Sequence, residues 1–110
     1  MVLPSRSYKT GREKGAITMM FKNCFKSLED TSVLMTSEDY KNRFVAEYAQ
    51  TKIRYEKLKN FCNRIEAAKL AGTEEPKHDC SLELLRSQQR IMGEYLHILE
   101  IRAVIEEVEL

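Results

Sequence analysis

The chain has no tryptophan, two prolines, four glycines and three cysteines in 110 residues. So few turn-forming residues exclude a fold of many short strands and reversals, such as a β-sandwich, and argue against a doubly wound dinucleotide-binding fold. The three cysteines (Cys24, Cys62 and Cys80) are odd in number and widely spaced. They make no disulfide framework and fit a reducing compartment. No apolar run approaches the length of a membrane span. The sequence contains neither GxxxxGK[ST] nor GxGxxG, and no HExxH, nucleophile elbow or CxxC. It thus lacks the usual signatures of phosphate cradles, metalloproteases, hydrolases and redox pairs. His78 sits in the triplet His78-Asp79-Cys80, which needs a further convergent ligand to hold an ion. His97 lies between Leu96 and Ile98 and reads as a flank residue. The expectation is no enzyme, no metal and no cofactor.

What is present is charge and helical period. Charged residues make up 32% of the chain and hydrophobic ones 43%, with a net charge of +1. The charge is unevenly placed. Residues 1–26 carry six basic groups (Arg6, Lys9, Arg12, Lys14, Lys22, Lys26) against Glu13, whereas residues 27–110 carry twelve basic and sixteen acidic groups. Residues 1–35 therefore read as a basic leader, flexible or with a short helix through Ile17, Phe21, Cys24, Phe25 and Leu28. The run AITMMF is too short for a secretory signal and is followed by lysines. A basic arm suits nucleic acid, but the acidic body opposes it, and no DNA or RNA polymer is expected as a partner.

After SVLMT, which breaks the pattern, Thr36 with Asp39 three residues on forms a capping-box-like start. Phe44, Tyr48, Thr51, Tyr55, Leu58, Cys62 and Ile65 then alternate steps of four and three, the period of a helix packed along its whole length. Lys69 falls in its last turn and Gly72 is placed to end it. Pro76 punctuates the connection, and Asp79 or Ser81 starts a second helix reaching about Glu107. That helix carries two stripes: Leu85, Met92, Leu96, Leu99 and Ala103, and beside them Leu84, Ile91, Tyr95, Ile98 and Ile105. One stripe packs against the first helix. The other needs a partner, most economically a second copy in a symmetric oligomer. The predicted fold is all-α: a long antiparallel helical hairpin over 36–110, preceded by a short helix or flexible segment.

Polar exceptions to this pattern suggest binding. Tyr40, Tyr48, Tyr55 and Tyr95 lie on or near helix faces, interleaved on the first helix with Arg43, Lys52, Arg54, Lys57 and Lys59. Rings stack on bases, and arginine takes phosphate oxygens. The same residues also suit interfaces and solvated flanks. Gln88 and Gln89 interrupt the two stripes, and Thr51 interrupts the first-helix seam; each must be satisfied across an interface or by a ligand. The acids Glu47, Glu56, Glu66, Glu94, Glu100, Glu106 and Glu107 read as the outer face of the pair, with Lys52–Glu56 and Arg102–Glu106 in the i,i+4 relation.

The segments YKNRFVAEYAQTKIRYEKLKNF (40–61) and LELLRSQQRIMGEYLHILEIRA (82–103) resemble the hairpin family shared by phage anti-CBASS 2 and Thoeris anti-defence 1 proteins. The family's second helix carries a Leu-Leu, Gln, Met, Tyr, Leu, Arg pattern, met here by Leu84, Leu85, Gln88, Met92 (one residue late), Tyr95, Leu99 and Arg102. The resemblance covers about residues 38–108. It is closer to the anti-CBASS branch, because no strand-rich region accompanies the hairpin. It implies a phage-encoded sponge in the cytoplasm of the infected bacterial host, a homo-oligomer such as a hexamer. Such a protein binds cyclic di- and trinucleotide second messengers, or in the other branch cyclic ADP-ribose isomers, without cleaving them. By the same resemblance Tyr40 stacks on a base, and Arg54 contacts phosphate with Arg43, Lys52 and Lys57 as neighbours. Arg86 corresponds to a trinucleotide-site arginine. Tyr48, Thr51, Tyr55, Gln88, Gln89, Tyr95 and Arg102 are placed at the interface or the ligand. The competing reading is a small oligomeric helical module that docks or inhibits another protein.

Overall fold

A computed structural model describes residues 27–110. A 3-10 turn at Leu28–Thr31 leads directly into α1 (Ser32–Met35), followed by the long helices α2 (Tyr40–Ala71) and α3 (Leu82–Glu106). Among the described residues there is no strand. The two long helices form an antiparallel hairpin, and the described residues measure 56 × 24 × 24 Å. At about 1.5 Å per residue α2 alone spans about 48 Å, so the hairpin sets the long dimension. The expected short helix through Ile17, Phe21, Cys24 and Phe25 lies outside the described residues. Its last position, Leu28, opens the 3-10 turn.

Two local expectations are corrected. SVLMT does not break the helical pattern; Ser32–Met35 is itself a helical turn. It is too short to show a period, and it forms because Leu34, 2% exposed, drops into the core beside Phe44, Val45 and Ala46. That docking ends α1 at Thr36, so Thr36 cannot also start α2. Asp39 caps α2 instead, its Oδ1 accepting from the Lys41 N–H at 3.0 Å. Ser37 closes the joint: its Oγ accepts from the Asp39 N–H and from the buried Asn42 amide, each at 3.1 Å.

The other boundaries follow local chemistry. Gly72 ends α2 with φ 74, a left-handed conformation that glycine adopts without strain, and the Thr73 N–H donates to Ala68 O at 3.0 Å. Ser81 caps α3, its Oγ accepting from the Leu84 N–H at 3.1 Å. Glu107 takes φ 58 at the end of α3, and the chain doubles back so that the Val108 N–H donates to Ala103 O at 2.8 Å. Val108 is thereby buried with Leu34, Phe44, Leu99 and Ala103 in one cluster at the open end of the hairpin.

The seam has the predicted residues. Phe44, Cys62 and Ile65 are buried, and Tyr48, Thr51, Tyr55 and Leu58 are half-buried. From α3, Leu96, Leu99 and Ala103 are buried against them, with Leu85 and Met92 partly so. Midway, α3 comes close to α2 at Gly93, where an added Cβ would lie 3.2 Å from Tyr55 Cε1. The second stripe faces outward: Leu84, Ile91, Tyr95, Ile98 and Ile105 are 39–74% exposed, and Ile101 and Val104 widen the patch. No helix among the described residues is long and apolar enough to cross a membrane.

The connection between the helices is stapled by His78. Its Nδ1 lies 2.7 Å from the Cys80 carbonyl oxygen and its Nε2 2.9 Å from Glu75 Oε1. Both neighbours are acceptors, so both ring nitrogens donate, which requires the imidazolium. Glu75, then the Cys80 carbonyl, push the His78 pKa above its ordinary value. His78, then Lys69 at 3.1 Å, hold the Glu75 carboxyl below its own.

Two outcomes are expected. Leu34→Ala should cost about 2–5 kcal/mol in urea denaturation, because it empties a fully packed position; a change within 0.5 kcal/mol would mean that α1 is undocked in solution. In an NMR titration the His78 ring should have its midpoint above 6.5, and Glu75→Gln should bring it back down. A group whose pKa is raised on folding stabilises fully below its unfolded value. The staple should therefore weaken as pH rises through the raised His78 midpoint, and an ordinary midpoint would show that it does not form.

Candidate functional site

Antiparallel packing puts the first turn of α2 beside the last turn of α3, and a polar cluster forms there. Tyr40 Oη donates to Glu106 Oε1 at 3.0 Å, and Arg102 Nε donates to the other oxygen, Oε2, at 2.8 Å. The Arg102 guanidinium stands 4.9 Å from the centre of the Phe44 ring, a cation–π distance. Lys41 Nζ donates to the Glu107 carbonyl oxygen at 3.4 Å. Arg102, then Tyr40, hold the Glu106 carboxyl below the usual range. In return Glu106 pushes the Tyr40 phenol and the Arg102 guanidinium up.

Two further contacts cross the hairpin. Tyr48 Oη donates to Glu100 Oε2 at 2.6 Å, and burial, followed by this bond, raises the Tyr48 phenol far above its ordinary value. Near the closed end Arg86 donates from Nη1 to Gln89 Oε1 at 2.7 Å and from Nη2 to Asn63 Oδ1 at 3.0 Å and to Glu66. Acids read from sequence as the outer face of the pair thus include three (Glu66, Glu100 and Glu106) that close on tyrosine or arginine of the other helix. The i,i+4 relation of Arg102 and Glu106 was visible in the sequence. The bond from Tyr40 was not, since it depends on the register of the two helices. Glu56 pairs with Lys59 at 3.4 Å.

Of the six residues expected to contact nucleotide, Tyr40 meets Arg102, a residue assigned to interface or ligand, and the other five are spread along the hairpin. Arg43 donates from Nη1 to the Ser37 carbonyl at 2.7 Å and so braces the α1–α2 joint. Lys52, Arg54 and Lys57 are exposed midway along α2. At about 100° per residue Arg43, Arg54 and Lys57 share one flank and Lys52 lies on the other. Tyr40 and Arg54 are about 21 Å apart along the helix axis, and Arg86 lies toward the opposite end of the hairpin from Tyr40. No single chain brings all six to one ligand.

The residues assigned to interface or ligand divide by face. Thr51 and Tyr55 are in the seam, Tyr55 against Gly93, with Lys59 Nζ 5.8 Å from the centre of its ring. Gln89 is half-buried beside Arg86. Gln88, Tyr95 and Arg102 are exposed and belong to the outward stripe, at helical steps from Leu84, Ile91, Ile98 and Ile105. A separate open groove of about 540 Å³ lies between the end of α2 and the loop, lined by residues that include Arg64, Ala68, Glu75 and Pro76. None of the expected site residues lines it. Among the described residues no group of three or more His, Cys, Asp or Glu is placed to hold a metal. Cys62 is buried and Cys80 exposed, both as free thiols.

Spectrophotometric titration should find Tyr48 the last tyrosine of the hairpin to ionise, and Tyr48→Phe should remove that last step. The same variant should cost about 1 kcal/mol, the usual net value of one such hydrogen bond. Ionisation of Tyr48 together with the other tyrosines would mean that the Glu100 contact is not kept in solution.

The Sequestin family model matches residues 38–105, which take in α2, the connecting loop and α3 up to its last residue but one. Comparison with curated proteins and with solved structures finds no match.

Proposed function

The chain belongs to the Sequestin family, and from that premise we propose that it is a phage anti-defence sponge that binds cyclic nucleotide immune signals and holds them uncleaved. The family's name points to sequestration. The ligand class, cyclic di- or trinucleotides, is our reading of the residues. The observation that carries it is the meeting of Tyr40, Phe44 and Arg102 at an edge of the outward apolar stripe. The ring and hydroxyl of Tyr40 and the Arg102 guanidinium, backed by the buried Phe44, suit a planar, phosphate-bearing molecule. The uncovered stripe suits a second copy of the chain, which would close over such a ligand.

The mechanism is mass action. Each signal held is one withheld from its effector, and no bond in the ligand has to change. To compete for a signal present below micromolar concentration the sponge needs a Kd near 1 nM, about −12 kcal/mol. An exposed helix face does not reach that value, because contacts to charge in open solvent are worth about 1 kcal/mol or less. Enclosure between protomers supplies the missing desolvation. In this reading the oligomer, a hexamer by resemblance, is part of the site, and Arg43, Arg54, Lys57 and Arg86 reach ligands in combination with residues of other copies. Lys52, on the far flank of α2, serves a separate site.

The same stripe also favours a second reading, a module that docks another protein. One experiment separates the two. Full-length protein is titrated by calorimetry with cyclic di- and trinucleotides and cyclic ADP-ribose isomers, and the ligand is recovered by heating and chromatographed. We expect nanomolar binding and intact ligand, with affinity lowered at least tenfold by Tyr40→Ala or Arg54→Ala. Ile98→Asp should dissociate the oligomer, leave the helix content unchanged and weaken binding with it. A folded oligomer that binds none of the panel would overturn the nucleotide reading in favour of a protein partner, and altered ligand would reveal an enzyme.

A further inference from the structure

We propose that Tyr40, Arg102 and Lys41 form an anion site for a phosphate group, and that in the free protein the Glu106 carboxylate fills it as an internal stand-in that the ligand displaces. The inference deepens the nucleotide reading and rests on it for the identity of the phosphate bearer. It starts from the geometry: two donors from different helices converge on the two oxygens of one carboxylate, Tyr40 Oη at 3.0 Å and Arg102 Nε at 2.8 Å. Two non-bridging oxygens of a phosphate present the same pair of acceptors at nearly the same separation and with more charge. Lys41 is a third donor and a second cation at the rim, within 3.4 Å of the neighbouring Glu107 carbonyl.

The stand-in sits where it can leave. Glu106 is the last residue of α3, and the next residue, Glu107, is in the left-handed conformation that ends the helix. Val108 holds the chain beyond it, but swinging the Glu106 side chain away is a rotamer change that does not require unpacking Ala103 or Leu99, one and two turns earlier. The bonds it would give up are exposed. Exposed ion pairs contribute little to stability, so the competition weakens a ligand by a modest factor while keeping Arg102 and Tyr40 aimed and discouraging weakly charged anions. Phe44 holds the guanidinium from behind, so its direction is kept when Glu106 moves away. Arg102 also belongs to the outward stripe between Ile98 and Ile105, so a phosphate bound there would lie at the edge of the face that a second copy covers.

The test compares wild type, Glu106→Ala, Glu106→Gln and the double variant Glu106→Ala/Arg102→Ala, with two probes: inorganic pyrophosphate, followed by the NMR shift of the Lys41 backbone amide, which every variant keeps, and cyclic di-AMP, followed by calorimetry. Circular dichroism checks that each variant keeps its helix content. Glu106→Ala should bind both probes roughly threefold to tenfold more tightly than wild type, the range expected for removing one exposed competing pair and its charge. Glu106→Gln, which keeps the shape and loses the charge, should fall between the two, and the double variant should lose the gain. Cyclic di-AMP binding that is equal or weaker in Glu106→Ala would overturn the stand-in and leave the sponge reading intact. Tighter pyrophosphate binding with no cyclic nucleotide bound by any variant would establish the anion site and refute the sponge reading. No response to either probe would overturn both.

Discussion

The cross-helix contacts depend on the register of two long antiparallel helices, and that register is keyed where Tyr55 lies across Gly93. Any side chain at position 93 would meet the Tyr55 ring, which already comes within 3.2 Å of where a Cβ would be. From that crossing the seam can be counted outward. Seven residues, or two turns, before Tyr55 is Tyr48; seven residues after Gly93 is Glu100; and these two are hydrogen-bonded at 2.6 Å. About one more turn brings Phe44 under Arg102, and a second brings Tyr40 to Glu106. A slip of one residue would turn each of these pairs by about 100° and separate them all. The polar contacts are therefore consequences of apolar packing. They report the register without being strong enough to set it, since each is exposed or half-exposed.

The register leaves an imbalance between the helices. α2 buries one stripe and turns its charges outward, whereas α3 buries one apolar stripe and exposes another. The turn of helix that could have covered it, α1, goes elsewhere: Leu34 is spent on the open-end cluster with Phe44, Val45 and Ala46. A surface with Ile91, Ile98, Ile101, Val104 and Ile105 all more than 45% exposed is the kind that soluble chains use for association. Gln88 and Arg102 interrupt it at regular steps. In a packed interface such polar interruptions limit the geometries that satisfy them, and so favour one mode of assembly over general stickiness.

How much of this could be read in advance depends on the range of the interactions. Gly72 was legible as a helix end, and Ser81 as one of two candidate starts beside Asp79, because a cap is decided within four residues. The choice of Asp39 over Thr36 was not, although both are good caps, because it turns on the distant docking of Leu34. The buried and outward stripes of α3 were legible as periods, and so was the sense of the hairpin. The partners of Arg86, namely Asn63, Glu66 and Gln89, and the bond from Tyr40 to Glu106 were hidden. No local pattern states which residue of one helix faces which residue of the other. The basic residues of α2 show the same limit from the other side: composition grouped Lys52 with Arg54 and Lys57, and two residues of helical rotation place Lys52 on the opposite flank.

This separation of faces bears on how a tight site could arise from such a chain. Within one protomer Arg43, Arg54 and Lys57 lie along one edge of a rod 56 Å long, and Tyr40 with Arg102 near one end. Each contact is open to water, where a single charge pair contributes about 1 kcal/mol or less. Several such contacts spread over one face of a rod cannot enclose a small anion. Arg102 changes the argument because it stands on the same stripe as Ile98 and Ile105. A second copy that covers those isoleucines must also shield Arg102 from solvent, and a guanidinium so shielded needs an anion beside it more than one in water does. Glu106 can be that anion when no ligand is present, and a phosphate can be when one is. Assembly and ligand capture would then be coupled through one residue, with the internal carboxylate keeping the empty oligomer from burying an unpaired charge.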